Sequence, residues 1–173
     1  MKKHISRKSF LKKVASALVF PTVVPASVLG NGNRIAPSDR ITLGFIGLGG
    51  QGTNQLIGTR WAPKGGFIGR DDTHVLAVCD VNRLRLKRAQ NSVFKRYGNK
   101  DCAAYYRFED LLARPDIDAV VLATGERWHP LLSIAAAKAG KDLYCEKPHT
   151  LTIRETQLVA ETMIRLPTKL IIW

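Results

Sequence analysis

Between Ile41 and Ile172, short apolar runs alternate with longer stretches of helical periodicity. Val75–Cys79 and Ala119–Ala123 are continuous apolar runs, the pattern of strands covered on both faces. Strands are predicted at Ile41–Gly47, His74–Cys79, Ala119–Thr124 and Asp142–Cys145, with weaker ones at Ala103–Tyr106 and Lys169–Ile172. Helices are predicted at Gln51–Gly58, Asn82–Tyr97, Phe108–Ala113, Trp128–Ala139 and Thr152–Arg165. In Asn82–Tyr97 the expected apolar face is Leu84, Ala89, Val93 and Phe94. Gly98 and Gly140 close two helices, Pro115 stops a third, and Thr150 or Thr152 caps the last. Thr59–Thr73, with Pro63, Gly65, Gly66 and Gly69, reads as a loop, long enough to count as an insertion. Strict strand–helix alternation predicts an α/β fold: a doubly wound parallel sheet with helices on both faces.

The first strand breaks into Gly47-Leu48-Gly49-Gly50-Gln51-Gly52, a Gly-x-Gly-x-x-Gly turn. Such spacing lets the chain turn tightly at Gly47, lets a diphosphate approach the backbone at Gly49, and lets the helix pack on the strand at Gly52. The helix start then offers free N–H groups and partial positive charge to phosphates. By itself the turn is compatible with a strand–helix connection that binds nothing.

Charge changes the picture at the N-terminus. The formal net charge is +13, and Lys2, Lys3, Arg7, Lys8, Lys12 and Lys13 contribute six of the positive charges before any acid appears. The basic stretch leads into Val14–Phe20, then Pro21, Pro25 and the small residues Ala26-Ser27. That is the order of a bacterial export leader, and the apolar run is too short to span a bilayer. Ser6-Arg7-Lys8-Ser9-Phe10-Leu11-Lys12 resembles a twin-arginine (Tat) signal with Lys8 in place of the second arginine. The expectation is an exported, periplasmic protein, with a basic amphipathic or membrane-anchoring N-terminus as the alternative: leader 1–30, linker 31–40, and a nucleotide-binding domain over 41–173. The remaining positive excess suits an anionic ligand such as a dinucleotide. Arg83, Arg85, Lys87, Arg88, Lys95 and Arg96 spread over several helix faces without an aromatic platform, so they read as a solvated helix, not a nucleic-acid surface. Cys79, Cys102 and Cys145 form no Cys-x-x-Cys pair, and Cys79 and Cys145 read as small core residues, with no metal site expected.

Two further positions carry chemistry. Asp80 ends the second strand, where in a doubly wound fold an acid accepts bonds from the adenosine ribose. It would repel a 2′-phosphate, which favours NAD, while Arg83 keeps NADP open. Its alternative is a plain Asp-x-Asn turn. Glu146-Lys147-Pro148 follows the fifth strand. A lysine there can donate to a substrate oxygen or a nicotinamide amide and stabilise an alkoxide as hydride moves, while the tripeptide alone reads equally as a simple strand-to-helix turn. The Lys147–Pro148 bond is a candidate for cis.

Taken in order, the glycine turn, Cys79-Asp80-Val81, Ala123-Thr124 and Ala139-Gly140-Lys141-Asp142-Leu143-Tyr144-Cys145-Glu146-Lys147-Pro148 resemble the Gfo/Idh/MocA oxidoreductases, over roughly Arg40 to Arg165. The resemblance implies an N-terminal Rossmann domain that binds NAD or NADP, and sugar-like alcohols or ketones as substrates. It implies cofactor contacts at Gly47, Gly49, Gly50, Gln51, Gly52, Asp80, Thr124 and Glu146. It places Lys147 beside nicotinamide and substrate. After the fourth strand many members carry Thr-Pro-Asp-His-x-His, where this chain has Thr124-Gly125-Glu126-Arg127-Trp128-His129. His129 keeps the last position and is a candidate catalytic residue, with a ligand-free helix start as the alternative. Members also continue into a second α/β domain carrying most substrate contacts and a catalytic Asp/His pair. The chain is therefore expected to be a cofactor half, turning over little alone. Two function classes stay open: the NAD(P)-binding half of an oxidoreductase, or of an NAD-dependent glycosidase, and a non-catalytic nucleotide-binding remnant.

Overall fold

Six parallel strands form one sheet in the computed structural model, which describes residues 35–59 and 64–172. They are β1 (Ile41–Ile46), β2 (Thr73–Cys79), β3 (Ala103–Tyr105), β4 (Ala119–Leu122), β5 (Asp142–Cys145) and β6 (Leu170–Ile172). The helices are α1 (Gly50–Ile57), α2 (Arg83–Tyr97), α3 (Phe108–Leu112), α4 (His129–Lys138) and α5 (Ile153–Arg165). Strand order is β3-β2-β1-β4-β5-β6, so the chain winds outward from β1, then returns to lay β4 on its other side. This is the expected doubly wound Rossmann sheet, with its reversal of direction between β1 and β4. The proposed leader, residues 31–34 of the linker, Arg60–Pro63 and Trp173 lie outside the described residues. Within the rest of the linker, Pro37–Asp39 forms a short 3-10 turn. Among the described residues no helix is long and apolar enough to cross a membrane.

Alternation along each strand sends side chains to opposite faces. Leu43 and Phe45 of β1, Val75 and Val78 of β2, and Val121 of β4 pack with Leu56 of α1 and Leu86, Ala89 and Val93 of α2. Ile46, Ala77, Cys79, Val120, Leu122, Leu143 and Cys145 face the other way, against Leu111 and Leu112 of α3 and Leu132, Ala136 and Ala137 of α4. A register shift between Leu43 and Gly44 against β2 lets both strands keep this division. Lys141, charged but buried, donates from Nζ to the carbonyls of Arg114 (2.6 Å) and Ile117 (2.8 Å). Its place in the Ala-Gly-Lys motif is thus structural: it ties the start of β5 to the loop before β4.

The structure corrects several expected details. The buried face of α2 is Leu86, Ala89 and Val93, spaced by three and four, and Phe94 is half-buried. Leu84 is 67% exposed, because it lies in the first turn on the opposite side of the helix from Leu86. The helix after β4 begins at His129, not Trp128, since Glu126–Trp128 forms a 3-10 turn ahead of Pro130 in the first helical turn. Thr152 is the cap of α5, in a reciprocal capping box with Glu155. The loop before β2 also contributes to the core: Ile68 is buried, and Phe67 meets Phe45 and Tyr144 edge-on at 5.7 and 5.8 Å.

Cys79, Cys102 and Cys145 are buried free thiols, and burial pushes each up to about 12. Two histidines make stability depend on pH. His74 stacks on Tyr97 at 4.5 Å between centroids; burial, and then the charge of Arg40, lowers its pKa. His149 is lowered by burial and then by His129. In the unfolded chain both titrate near ~6.5. A folded pKa below the unfolded one means that the unfolded state binds more protons as pH falls. The stability both contribute is therefore complete above about pH 6.5 and declines as pH falls through that value toward their folded pKa values. Urea midpoints should drop between pH 7.5 and 5. The joint variant His74→Phe/His149→Asn should show a flatter profile, and an equally steep one would refute this assignment.

Candidate functional site

β1 and β4 are neighbours whose onward connections leave in opposite directions, and a crevice opens at their carboxyl ends. The turn out of β1 makes it. Gly47 has φ +92°, and a Cβ there would lie 2.6 Å from the Ala123 carbonyl oxygen. A Cβ at Gly52 would lie 2.0 Å from the Gly47 carbonyl oxygen. Strand, turn and helix therefore meet backbone to backbone, with no room for a side chain. Gly49 and Gly50 differ. A Cβ on Gly49 would meet only Arg85 Nη1, at 3.7 Å, and one on Gly50 would meet nothing within 4 Å. Both border a cleft of about 720 Å³. α1 starts there without a side-chain cap: the Gly49 carbonyl accepts from the Thr53 amide (2.9 Å), and Gly49 has no side chain to cap the amides of Gly50, Gln51 and Gly52.

Asp80 closes the cleft at the end of β2. It is buried, its Oδ2 accepts from the Leu48 amide (2.7 Å) and its Oδ1 from the Asn82 amide (2.7 Å). Each carboxylate oxygen retains a lone pair for a further donor. Tyr106 and Arg107, after β3, line the cleft near Val81, and Thr124, Gly125 and Trp128, after β4, line its other end. Trp128 is 56% exposed. Arg83, the expected receiver of a 2′-phosphate, lies over the Tyr106 ring, 5.7 Å from its centroid.

Of the residues singled out from sequence, Gly47, Gly49, Gly50, Gln51, Asp80 and Thr124 line this one cleft. Gly52 shapes it from behind. Glu146 does not line it. Its buried carboxylate accepts from Gln51 Nε2 (3.1 Å) and, closer, from Gln55 Nε2, so it reaches the cleft only through Gln51. Its charge also helps burial to raise the neighbouring Tyr144 hydroxyl to about 12.

Lys147 is exposed, joined to Pro148 by the expected cis bond, and stands at the carboxyl edge of β5, one strand beyond β4. It does not line the cleft. His129 does not either: its ring is 1% exposed. Its Nδ1 lies 2.9 Å from the Pro148 carbonyl oxygen. A carbonyl only accepts, so Nδ1 donates that bond, and Nε2 is buried without a hydrogen-bond partner among the described residues. The geometry thus gives His129 a positioning place behind the Lys147-Pro148 turn, in place of open contact with a ligand. Ser133 Oγ and His149 Nε2, 3.0 Å apart, brace the same turn from α4.

Sequence reasoning overlooked Arg85. Charge pattern alone puts it on a solvated face, yet it lines the cleft beside Gly49. The available signal was its position in the first turn of the helix after Asp80, which a doubly wound fold brings to the same sheet edge as the glycines.

The cleft fits a dinucleotide: a cradle at Gly49–Gly50 that side chains would fill, uncapped helix amides, and an acid at the end of the next strand. The profile of the Gfo/Idh/MocA family, described as an oxidoreductase family with an NAD-binding Rossmann fold, matches residues 41–172. The chain belongs to that family. This Gfo/Idh/MocA domain is the family's NAD(P)-binding Rossmann unit. It is 26% identical over 182 residues to the glycosyl hydrolase family 109 protein of Shewanella baltica (strain OS185), a match covering 94% of this chain and 38% of that protein. The chain thus spans little more than a third of the curated relatives it matches. Among solved structures it is similar to a "probable dehydrogenase" of Thermotoga maritima, with a TM-score of 0.65 and 28% identity over 76% of this chain and 35% of that one. It shares the fold of the WlbA dehydrogenase of Bordetella pertussis, solved with NADH and UDP-GlcNAcA, with a TM-score of 0.63 and 23% identity over 78% and 37% of the two chains.

Proposed function

We propose that this domain binds NAD(H) as the cofactor half of an oxidoreductase acting on sugar-type alcohols or ketones. The observation that carries the reading is the cleft at the β1–β4 switch point, where Gly49 and Gly50 leave open space beside Asp80. The amides of Gly49, Gly50 and Gln51 bind the diphosphate, and the remaining Asp80 lone pairs accept from the adenosine ribose. The Asp80 carboxylate also repels a 2′-phosphate, which supports NAD over NADP. Thr124 and Gly125 line the end left for the nicotinamide. When bound, the cofactor accepts or gives hydride at a carbinol or carbonyl carbon. Lys147, on its cis turn, donates a hydrogen bond to the substrate oxygen, and His129 holds that turn through Pro148. Glu146 orients Gln51 at the cleft wall.

A second reading, the cofactor half of an NAD-using glycosidase, is favoured by the curated relatives, which carry the name glycosyl hydrolase family 109 at 26–27% identity. In that chemistry a transient oxidation assists bond cleavage, and the cofactor cleft is the same. We further read residues 1–30 as a Tat-type leader to the periplasm, testable by fusing them to a reporter that is active only after export.

Titration calorimetry of the purified chain tests the main reading. One saturable NADH site is expected, tighter than for NADPH. A folded sample that binds neither NAD(H) nor NADP(H) overturns it.

A further inference from the structure

The segment from Ile41 to Gly58 contains no charged side chain. A diphosphate settling on its glycine turn brings two negative charges, and the start of α1 returns only about half a positive charge. A cation from elsewhere in the fold would offset more of that charge, and one side chain stands in place. Arg85 Nη1 lies 3.7 Å from where a Gly49 side chain would begin, and Arg85 lines both the large cleft and a smaller hollow of about 300 Å³ on the α1–α2 side of the same turn.

We infer that Arg85 is a phosphate-binding residue of the dinucleotide cleft, recognising the diphosphate and not the adenosine 2′ position. The inference rests on the dinucleotide reading above and adds a ligand group to it. Three observations support it. Arg70, Arg107 and Arg114 each pair with an acid two residues away, whereas Arg85 has no carboxylate partner among the described residues. Its guanidinium is therefore available to an incoming anion, and its planar fork of donors suits phosphate oxygens better than a point charge does. Its backbone is held: the Asn82 side chain caps the Leu84 and Arg85 amides at 3.0 and 3.2 Å, and the Asn82 amide is itself bound by Asp80. Asp80 thereby fixes the end of the helix that carries Arg85. Finally, the neighbouring cations are placed differently. Arg83 is laid over Tyr106, and Arg88 lines only the smaller hollow.

The test is titration of the whole chain with NADH, NADPH and ADP-ribose, for the natural sequence and for Arg85→Gln, Arg85→Lys and Arg88→Gln, with circular dichroism to check folding. Arg85→Gln is expected to weaken all three ligands alike, by about tenfold, the worth of one charge-assisted hydrogen bond. It should also make binding less sensitive to added salt. Arg85→Lys should recover part of the loss, and Arg88→Gln should bind as the natural chain does. Unchanged affinity in folded Arg85→Gln overturns the inference, as does a loss confined to NADPH, which would make Arg85 a reader of the 2′-phosphate. If the natural chain binds none of the three, the dinucleotide reading itself falls with it.

Discussion

Alanine at position 52 is expected to destabilise the domain by about 3 kcal/mol or more and to remove NADH binding, whereas alanine at position 50 leaves the fold intact. The contrast follows from where each Cβ would go. At Gly52 it would sit 2.0 Å from the Gly47 carbonyl oxygen, a backbone atom that cannot swing away as a side-chain tip can. Relief requires moving α1 off β1, and Leu56, fully buried against that strand face, would move with it. At Gly50 nothing lies within 4 Å, its φ is not positive, and as the first residue of α1 it takes alanine without backbone strain. Gly50→Ala should therefore melt at the same temperature or higher while binding NADH more weakly, because the methyl group occupies the cradle. Thermal melts with parallel NADH titrations separate the two effects. A Gly52→Ala protein with a natural melting temperature would refute the backbone-contact argument.

Asp80→Ala should lower both stability and affinity. The carboxylate satisfies the Leu48 amide in a buried bond and the Asn82 amide at the start of α2. Leaving the buried donor without a partner costs about 1–3 kcal/mol. Losing the ribose acceptor should weaken NADH by roughly tenfold or more. Removing the negative charge also removes the repulsion of a 2′-phosphate, so the ratio of NADPH to NADH affinity should rise. Asp80→Asn, which keeps the shape and one acceptor oxygen, should show the same change in ratio with a smaller loss of stability. Urea unfolding reports the first effect and competitive titration the second. An unchanged NADPH-to-NADH ratio in both variants would remove Asp80 from the ribose site.

The strand pattern was legible because each strand carries its own signal. β5 falls where sequence placed it, and β2 begins one residue earlier, at Thr73. Runs such as Ala119–Leu122 are apolar throughout because helices cover both faces, and that requirement is written locally. The glycine turn was legible for the same reason: backbone contact at Gly47 and Gly52 excludes every other residue type. Less was legible where two faces compete. Leu84 and Leu86 are equally apolar, and only the docking of α2 on Val75 and Val78 decides that Leu86 goes inside.

The candidate site divides in the same way. Gly47 through Gln51, Asp80 and Thr124 were readable because a doubly wound sheet brings the ends of β1, β2 and β4 to one edge. Glu146, Lys147 and His129 were readable as a motif but not as a geometry. Glu146 turns inward to Gln51 and Gln55, and His129 is buried under the Pro148 carbonyl. Arg85 was hidden among six cations of one helix, since charge pattern alone cannot tell which of them faces a ligand.

Sequence by itself determined the α/β alternation, the glycine turn and the acid that follows the second strand, because each depends on the residue's own backbone or its near neighbours. Only the tertiary structure decided which charges meet the cleft and which residues brace it from behind. Those placements depend on contacts between segments tens of residues apart, such as Leu48 with Asp80 and Gln51 with Glu146, and no spacing along the chain encodes them directly.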